Sequence, residues 1–254
     1  MVQSVNMSNE KPILPPFTRW QWAGKKEREK WHPLLQQIKE TVPLLERLSV
    51  AEGVRRAAVL RFPYNALPPM TKWAQSANVV FVPRHMTPFD ITGVFVRIED
   101  YAEVATIDEQ ELRRWTGCPD CCSSTYDVRK ERGLLDFIPE QEMERSSWLT
   151  NNFLHAVGVH LVPHYVCHAQ CSKSEKLAKE LYDVGLKYGF ETPLKALREM
   201  LNWPVKWTRR FGIAEITTPA LRIITNTDWT PNLQEIQRPG SLIRNGIIQL
   251  NNVV

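Results

Sequence analysis

The chain has 254 residues, of which 32 are lysine or arginine and 28 are aspartate or glutamate, so its formal net charge is +4. With 43% hydrophobic residues it is a globular protein rather than a disordered one, and it is long enough to bury a core without help from metals or disulfides. The charge is too small to indicate a dedicated nucleic-acid or polybasic membrane protein.

The N-terminal half is predicted to alternate helices with short strands. Residues 1–17 form a flexible, proline-rich leader that lacks a signal core, so we expect a cytoplasmic protein, and no apolar stretch is long enough for a transmembrane helix. The predicted elements are a helix over 25–48 with a break or kink at Pro43, its helical continuation over 50–60, strands at 78–82, 91–98 and 101–106, and a helix at 108–115 stopped by Gly117.

The C-terminal half is predicted to be mainly helical up to a final strand pair. The predicted elements are a short helix ending at Gly133, a polar linker through Glu144, helices at 146–157, 172–188 and 192–201, and strands at 159–162, 211–216 and 221–225. Glu215 in the first strand of the final pair should meet Arg222 across the Thr-Thr-Pro turn, because a carboxylate in an apolar strand needs a partner.

This pattern predicts an α+β fold that is helix-rich and has a small, mainly antiparallel sheet. We predict a single α+β metal-binding domain over 18–227, followed by an extended C-terminal tail over 228–254.

All five cysteines fall in two short polar segments. The first is Gly117-Cys-Pro-Asp-Cys-Cys122, which contributes Cys118, Cys121 and Cys122, and the second is His164-Tyr-Val-Cys-His-Ala-Gln-Cys171, which contributes Cys167 and Cys171. Cysteines two to four positions apart present their sulfurs to one ion, and two such pairs supply the four ligands of a tetrahedral zinc or of a [4Fe–4S] cluster. We expect Cys118, one of Cys121 and Cys122, Cys167 and Cys171 to be ligands, with His164 as a further candidate.

Each cysteine segment precedes a predicted helix start. Ser124 with Asp127, and Ser172 with Glu175, match the capping box, so two helix N-termini would point their positive dipole ends at the cysteines and stabilise thiolates. If the second helix instead begins at His164, the residues His164, Cys167 and Cys171 share one of its faces.

The choice of metal leans toward [4Fe–4S]. Cys-Pro-x-Cys is common in zinc sites, whereas the Cys-x3-Cys spacing, the extra cysteine and the two helix N-termini fit a cluster. A cysteine nucleophile near His164 or His168 ranks lower, because it leaves four cysteines unexplained. The histidines His32, His85, His155 and His160 are expected to be ordinary core or surface residues.

Several motifs together carry a resemblance. The Cys-Pro-x-Cys-Cys motif, Pro163-His-x-x-Cys-x3-Cys171, Leu201-Asn-Trp-Pro-Val-Lys-Trp207 and Gly212-Ile-Ala-Glu-Ile-Thr-Thr-Pro219 resemble those of a little-characterised bacterial Cys/His-motif family, over roughly Gly117 to Asp228. Some members are labelled methyltransferases, but none of the 11 glycines here forms the Gly-x-Gly turn of a Rossmann-type cofactor site, and a Walker loop is also absent.

The sequence thus predicts a cysteine-ligated metalloprotein, with a [4Fe–4S] cluster in a redox or sulfur-transfer role in a biosynthetic pathway. The alternative is a zinc-stapled, non-enzymatic module that binds a protein or nucleic acid through Trp203, Trp207 and the basic residues Lys206, Arg209 and Arg210. We expect both tryptophans to pack in the core instead, so a nucleic-acid partner is disfavoured, and no membrane partner is expected.

Overall fold

A computed structural model describes residues 17–131, 147–238, 240–244 and 247–250. The predicted linker and all but the last residue of the predicted leader lie outside the described residues. Within the described part, no helix combines the length and the apolar character needed to cross a membrane.

The described elements confirm an α+β fold with antiparallel sheets. In chain order they are β1 (Thr18–Trp22), α1 (Lys25–Ala51), β2 (Ala57–Pro63), α2 (Leu67–Ser76), β3 (Val79–Met86), β4 (Asp90–Arg97), α3 (Tyr101–Val104), α4 (Glu109–Trp115), α5 (Asp120–Glu131), α6 (Ser172–Lys187), α7 (Glu191–Leu201), β5 (Val205–Arg210), β6 (Ile213–Thr217), β7 (Leu221–Asn226), β8 (Gln234–Arg238), β9 (Ser241–Arg244) and β10 (Ile247–Leu250).

The larger sheet pairs the first strand of the described chain, β1, with strands from its C-terminal part. Its strand order is β1-β7-β6-β5-β8, and β9 pairs separately with β10. The predicted hairpin is confirmed, since β6 and β7 are antiparallel with Ile216 opposite Ile223. Part of the predicted tail, β8, pairs with β5 at the edge of this sheet.

The main core lies between this sheet and the helices α1, α6 and α7. Leu35, Ile38 and Leu45 of α1 are almost fully buried in it, at the spacing of one helical face. At Gly185 of α6 an added Cβ would lie 2.7 Å from side-chain atoms of Leu45 and Leu194. The lack of a side chain there therefore lets α6 approach both neighbouring helices closely.

The smaller sheet, β2-β4-β3, has two apolar faces. Along β4 the side chains alternate, so that Phe95 packs with Phe62 and Ala58 on one face while Val94 and Val96 pack with Trp115 on the other. The end of α1, at Val50, joins the first of these clusters. This sheet contains both strands predicted at 78–82 and 91–98.

Some local predictions were wrong. The predicted helix over 25–48 is present, but the break that was one of the two expectations at Pro43 is not, because burying the long apolar face of α1 outweighs the roughly 3 kcal/mol cost of an interior proline. The predicted helical continuation contains β2, and the third strand is α3. Residues 147–157, predicted as a helix, contain only two single-turn 3-10 helices, and residues 159–162, predicted as a strand, are irregular. Here the chain turns so that Phe153 and Leu154 are buried, and a regular helix or strand does not form.

Candidate metal centre

The first cysteine segment is the start of α5. Gly117, whose φ is +81°, ends the helical course of the chain after α4. The helix α5 begins at Asp120, four residues before the predicted start at Ser124. Cys121 and Cys122 therefore lie in the first turn, and the N–H of Cys122 donates to the Pro119 carbonyl at 2.9 Å.

The second cysteine segment leads into α6. The helix begins at Ser172, as predicted, but its N-cap residue is Cys171 and has no side-chain cap, so the capping box expected at Ser172 is not formed and the alternative start at His164 is wrong. Both cysteine segments thus lie at helix N-termini, where unpaired N–H groups and the helix dipole favour negative charge.

Four of the five cysteines bring their sulfurs together. The sulfurs of Cys121, Cys122, Cys167 and Cys171 all lie within 4.8 Å of one another. Cys171 Sγ is 3.7 Å from Cys122 Sγ and 3.9 Å from Cys121 Sγ. Cys122 and Cys171 are buried, Cys167 is half-buried and Cys121 is exposed, so the group lies just below the surface. The arrangement is close enough to bind a metal.

Hydrogen bonds already support this group of sulfurs. The backbone N–H of Cys167 donates to Cys122 Sγ at 3.3 Å, which ties the second segment to the first. The buried hydroxyl of Ser174 donates to Cys171 Sγ at 3.4 Å and lies 3.3 Å from Cys122 Sγ. Such donors stabilise negative charge on sulfur and orient metal ligands.

The thiols differ in acidity. Burial raises the pKa of Cys122 to about 11, although hydrogen bonds from Ser174 and from the Cys167 backbone lower it in part. Burial and the neighbouring thiols hold the pKa of Cys167 above its usual range. Burial also opposes ionisation of Cys171, but the hydrogen bonds from Ser174 together with those involving Cys122 and Cys167 outweigh it and lower that pKa. Of these three thiols, Cys171 is therefore the one that ionises most readily.

Cys118 and His164 lie outside the four-sulfur group. Cys118 is buried, its thiol approaches the Pro119 carbonyl at 3.7 Å, and burial raises its pKa to about 12. His164 Nε2 lies 2.8 Å from Ser174 Oγ, so the imidazole reaches the sulfurs through this hydroxyl. Burial lowers the pKa of His164 to about 4, so the ring is neutral at pH 7.

Ser174 was missed in the sequence analysis. Its signal is its position three residues after Cys171 at the start of a helix, which places both side chains on one face. Ser172, one residue after Cys171, is instead exposed.

A cavity of about 400 Å³ adjoins the centre. It lies between α4, α5, the end of α1 and the segment before α6. The side chains that line it are Glu46, Val59, Glu109, Leu112, Arg113, Thr116, Cys118, Cys122, Ser123, Tyr126, Pro163, His164 and Tyr165.

The other features weighed in the sequence are structural. His155 stacks on His160 with ring centroids 4.2 Å apart, as expected of core residues. Trp203 and Trp207 are buried, which confirms their packing in the core. Arg222 donates to Glu215 at 2.6 Å and 3.0 Å, which confirms that pair.

Comparison of the chain with protein-family models, with curated proteins and with solved structures gave no match.

Proposed function

We propose that Cys121, Cys122, Cys167 and Cys171 bind one zinc ion, and that this ion staples α5 to the segment before α6. The distances between the sulfurs carry the proposal. In a tetrahedral site with zinc–sulfur bonds of about 2.3 Å, the sulfurs lie about 3.8 Å apart. The pairs formed by Cys171 with Cys122 and Cys121 are 3.7 Å and 3.9 Å apart.

The same distances favour zinc over the [4Fe–4S] cluster expected from the sequence. The irons of such a cluster occupy the corners of a cube, so their terminal thiolates lie roughly 6 Å apart. The four sulfurs here lie within 4.8 Å of one another, so a cluster would require the two segments to separate.

The proposed centre is a structural one. Four thiolates complete the coordination of zinc and leave no position for a substrate, which is the pattern of structural rather than catalytic zinc sites. The chain's own hydrogen bonds orient two of the four sulfurs, since the Cys167 N–H donates to Cys122 Sγ and the Ser174 hydroxyl donates to Cys171 Sγ. The zinc supplies a cross-link between two segments that are 45 residues apart at Cys122 and Cys167.

A zinc ion bound by these cysteines would also hold part of the lining of the adjoining cavity in place. Cys122 belongs to both the four-sulfur group and the cavity lining, and His164 lies on the same wall. We therefore propose a zinc-stapled binding protein that acts through this cavity. A partner protein stays a prediction, while the proposed aromatic surface for nucleic acid lacks its two tryptophans, which are buried.

Elemental analysis and X-ray absorption of anaerobically purified protein test the metal. We expect one zinc per chain, with four sulfur neighbours at about 2.3 Å. Stoichiometric iron and sulfide with an iron–iron distance in the absorption spectrum would overturn zinc.

The second candidate is the [4Fe–4S] protein with a redox or sulfur-transfer role. The observation in its favour is the placement of Cys121, Cys122 and Cys171 at two helix N-termini, which suits a multiply charged thiolate cluster. Visible absorption near about 400 nm from anaerobic protein would select this candidate.

A further inference from the structure

A groove lies between β1, at the edge of the larger sheet, and the first turns of α1. Its larger part has a volume of about 600 Å³, and the residues that line it include Trp20 and Trp22 of β1 and Lys25, Arg28 and His32 of α1. Its smaller part, of about 300 Å³, is lined by α1 and shares these three helical residues. The two parts therefore adjoin along α1.

The strand supplies an aromatic wall. Trp20 and Trp22 are two residues apart in β1, so they lie on the same face of the strand. Both are half-buried, and their ring centroids are 5.6 Å apart with nearly perpendicular planes. Part of each indole thus lines the groove instead of packing in the core. Accessible indole surface of this kind binds planar rings.

The helix supplies a basic wall. Lys25, Arg28 and His32 are at positions i, i+3 and i+7, which places them on one face of α1. This face meets the aromatic wall, because the ring centroids of His32 and Trp22 are 6.2 Å apart. Lys25 and Arg28 are both exposed, so their charged groups are accessible to a ligand in the groove.

The groove carries a net positive charge. Of the described residues that line it, Lys25 and Arg28 are cationic and Glu29 is the only acidic one. Glu29 lines the smaller part alone and is 3.8 Å from Lys25, in an exposed pair that water screens. No acidic side chain in the described part of the chain pairs with Arg28. An anion in the larger part would therefore meet two cations and no carboxylate.

We infer that this groove binds a phosphate ester that carries a planar aromatic ring, which is the chemistry of a nucleotide. The ring lies against the indoles of Trp20 and Trp22, and the phosphate oxygens accept hydrogen bonds from the Lys25 ammonium and the Arg28 guanidinium. The cations alone would suit any anion, and the indoles alone would suit any apolar ring, so the combination selects a ligand with both parts. A volume of about 600 Å³ is within the range of small-molecule sites.

This site is independent of the proposed zinc. The larger part of the groove shares no lining residue with the cavity beside the four-sulfur group. The inference therefore goes beyond the proposed function and does not rest on it.

Four probes test this ligand class on the purified protein at low ionic strength. AMP has the ring and the phosphate, adenosine lacks the phosphate, ribose 5-phosphate lacks the ring, and hexadeoxyadenylate presents both parts in a strand. Chemical-shift changes in protein NMR spectra give each dissociation constant. We expect AMP to bind with a dissociation constant below about 1 mM, and adenosine and ribose 5-phosphate to bind at least about 10-fold more weakly.

The strand probe distinguishes the two sources of this chemistry. Hexadeoxyadenylate binding at least about 10-fold more tightly than AMP would support a single-stranded nucleic acid as the ligand. Equal affinities would support a free nucleotide.

Two neighbouring lysines provide a matched comparison. Lys25→Gln should weaken AMP binding about 5-fold or more, because the Lys25 ammonium lines the groove. Lys26→Gln removes the same charge from the next residue, which is exposed and lines neither part of the groove, so the affinity should stay unchanged. Arg28→Gln should behave like Lys25→Gln.

Trp22→Leu tests the aromatic wall. The wild-type protein should prefer AMP to ribose 5-phosphate at least about 10-fold, and this variant should reduce the preference to about 2-fold, because only the adenine ring loses its contact. A ratio of two affinities compares the ligands on the same folded variant.

Adenosine or ribose 5-phosphate binding as tightly as AMP would overturn the inference, and so would undetectable AMP binding. Equal AMP affinities of the Lys25→Gln and Lys26→Gln variants, or an unchanged preference in Trp22→Leu, would overturn it as well. The proposed function is tested separately, because the metal content is measured without AMP.

Discussion

The imidazole Nε2 of His164 lies 2.8 Å from the hydroxyl of Ser174, the residue one helical turn after Cys171. This contact extends the hydrogen bonds of the four-sulfur group to a ring that lines the cavity. Ser174 thus connects the four-sulfur group with the cavity, so we expect a change in one to alter the other.

Removing the Ser174 hydroxyl should weaken metal binding. In Ser174→Ala, Cys171 loses its side-chain donor and His164 loses its partner, and loss of such supporting hydrogen bonds typically costs 10- to 100-fold in metal affinity. Competition with a chromophoric chelator measures the affinity for zinc. Ser172→Ala, at an exposed position of the same helix, is the control and should keep the wild-type affinity. Equal affinities of the two variants would contradict a supporting role for Ser174.

Replacing one sulfur of the group should release the metal. Cys171→Ser should purify with far less zinc than the wild-type protein and should unfold at a lower temperature, because the cross-link between the two segments is lost. Cys118→Ser is the matched control, since it changes a buried cysteine outside the group and should retain one zinc per chain. Metal loss from Cys118→Ser with retention in Cys171→Ser would mean that the ligand set is wrong.

The stacked histidines should make the protein sensitive to acid. Burial lowers the pKa of His155 to about 4 and that of His160 to about 3, while an unfolded histidine titrates near 6.5. Below pH 6.5 the unfolded chain therefore binds more protons than the folded protein. The free energy of unfolding then decreases as the pH is lowered, until the pKa values of the folded state are reached. At pH 5 each histidine should cost about 1–2 kcal/mol.

His160→Gln tests this pH dependence. Its free energy of unfolding, measured by urea denaturation from pH 7 to pH 5, should fall less steeply than that of the wild type. Parallel curves for the variant and the wild type would rule out His160 as a source of the acid sensitivity.

The buried ion pair of Arg55 with Glu46 should be costly to break. The Arg55 side chain is fully buried and also donates to Ser49 Oγ and to the Glu46 carbonyl, both at 2.8 Å. Burial raises the pKa of Glu46, and Arg55 opposes this shift. Arg55→Met leaves the carboxylate unpaired and should destabilise the fold by about 3–5 kcal/mol.

A second substitution separates the charge from the packing. Glu46→Gln in the Arg55→Met background should recover part of the lost stability, because no uncompensated charge then remains buried. Breaking the exposed Glu215–Arg222 pair with Glu215→Gln should cost no more than about 1 kcal/mol. Urea denaturation of the single and double variants measures these free energies of unfolding. If Glu46→Gln has the same effect in the wild-type and Arg55→Met backgrounds, the buried charge is not what makes Arg55 important.

The strongest periodic signals in the sequence predicted their elements correctly. The helix α6 begins at the predicted Ser172, and the strand pair β6–β7 flanks the predicted turn, because helical spacing and β-branched runs depend on local chain geometry. The region between Phe153 and Val162 was predicted wrongly, since its apolar residues fill a buried corner without regular structure. Periodicity cannot distinguish such a corner from a helix.

For the candidate metal centre, the sequence alone identified cysteine as the ligand type and the two segments that come together. Which sulfurs meet depends on the tertiary structure: Cys121 and Cys122 are both in the group, Cys118 is not, and His164 reaches the sulfurs through Ser174. This is because the start of α5 at Asp120 sets where each side chain of the first segment points, and packing of α5 against the segment before α6 sets which of those side chains meet the second segment. The spacing of cysteines along the sequence shows neither where α5 starts nor how the two segments pack.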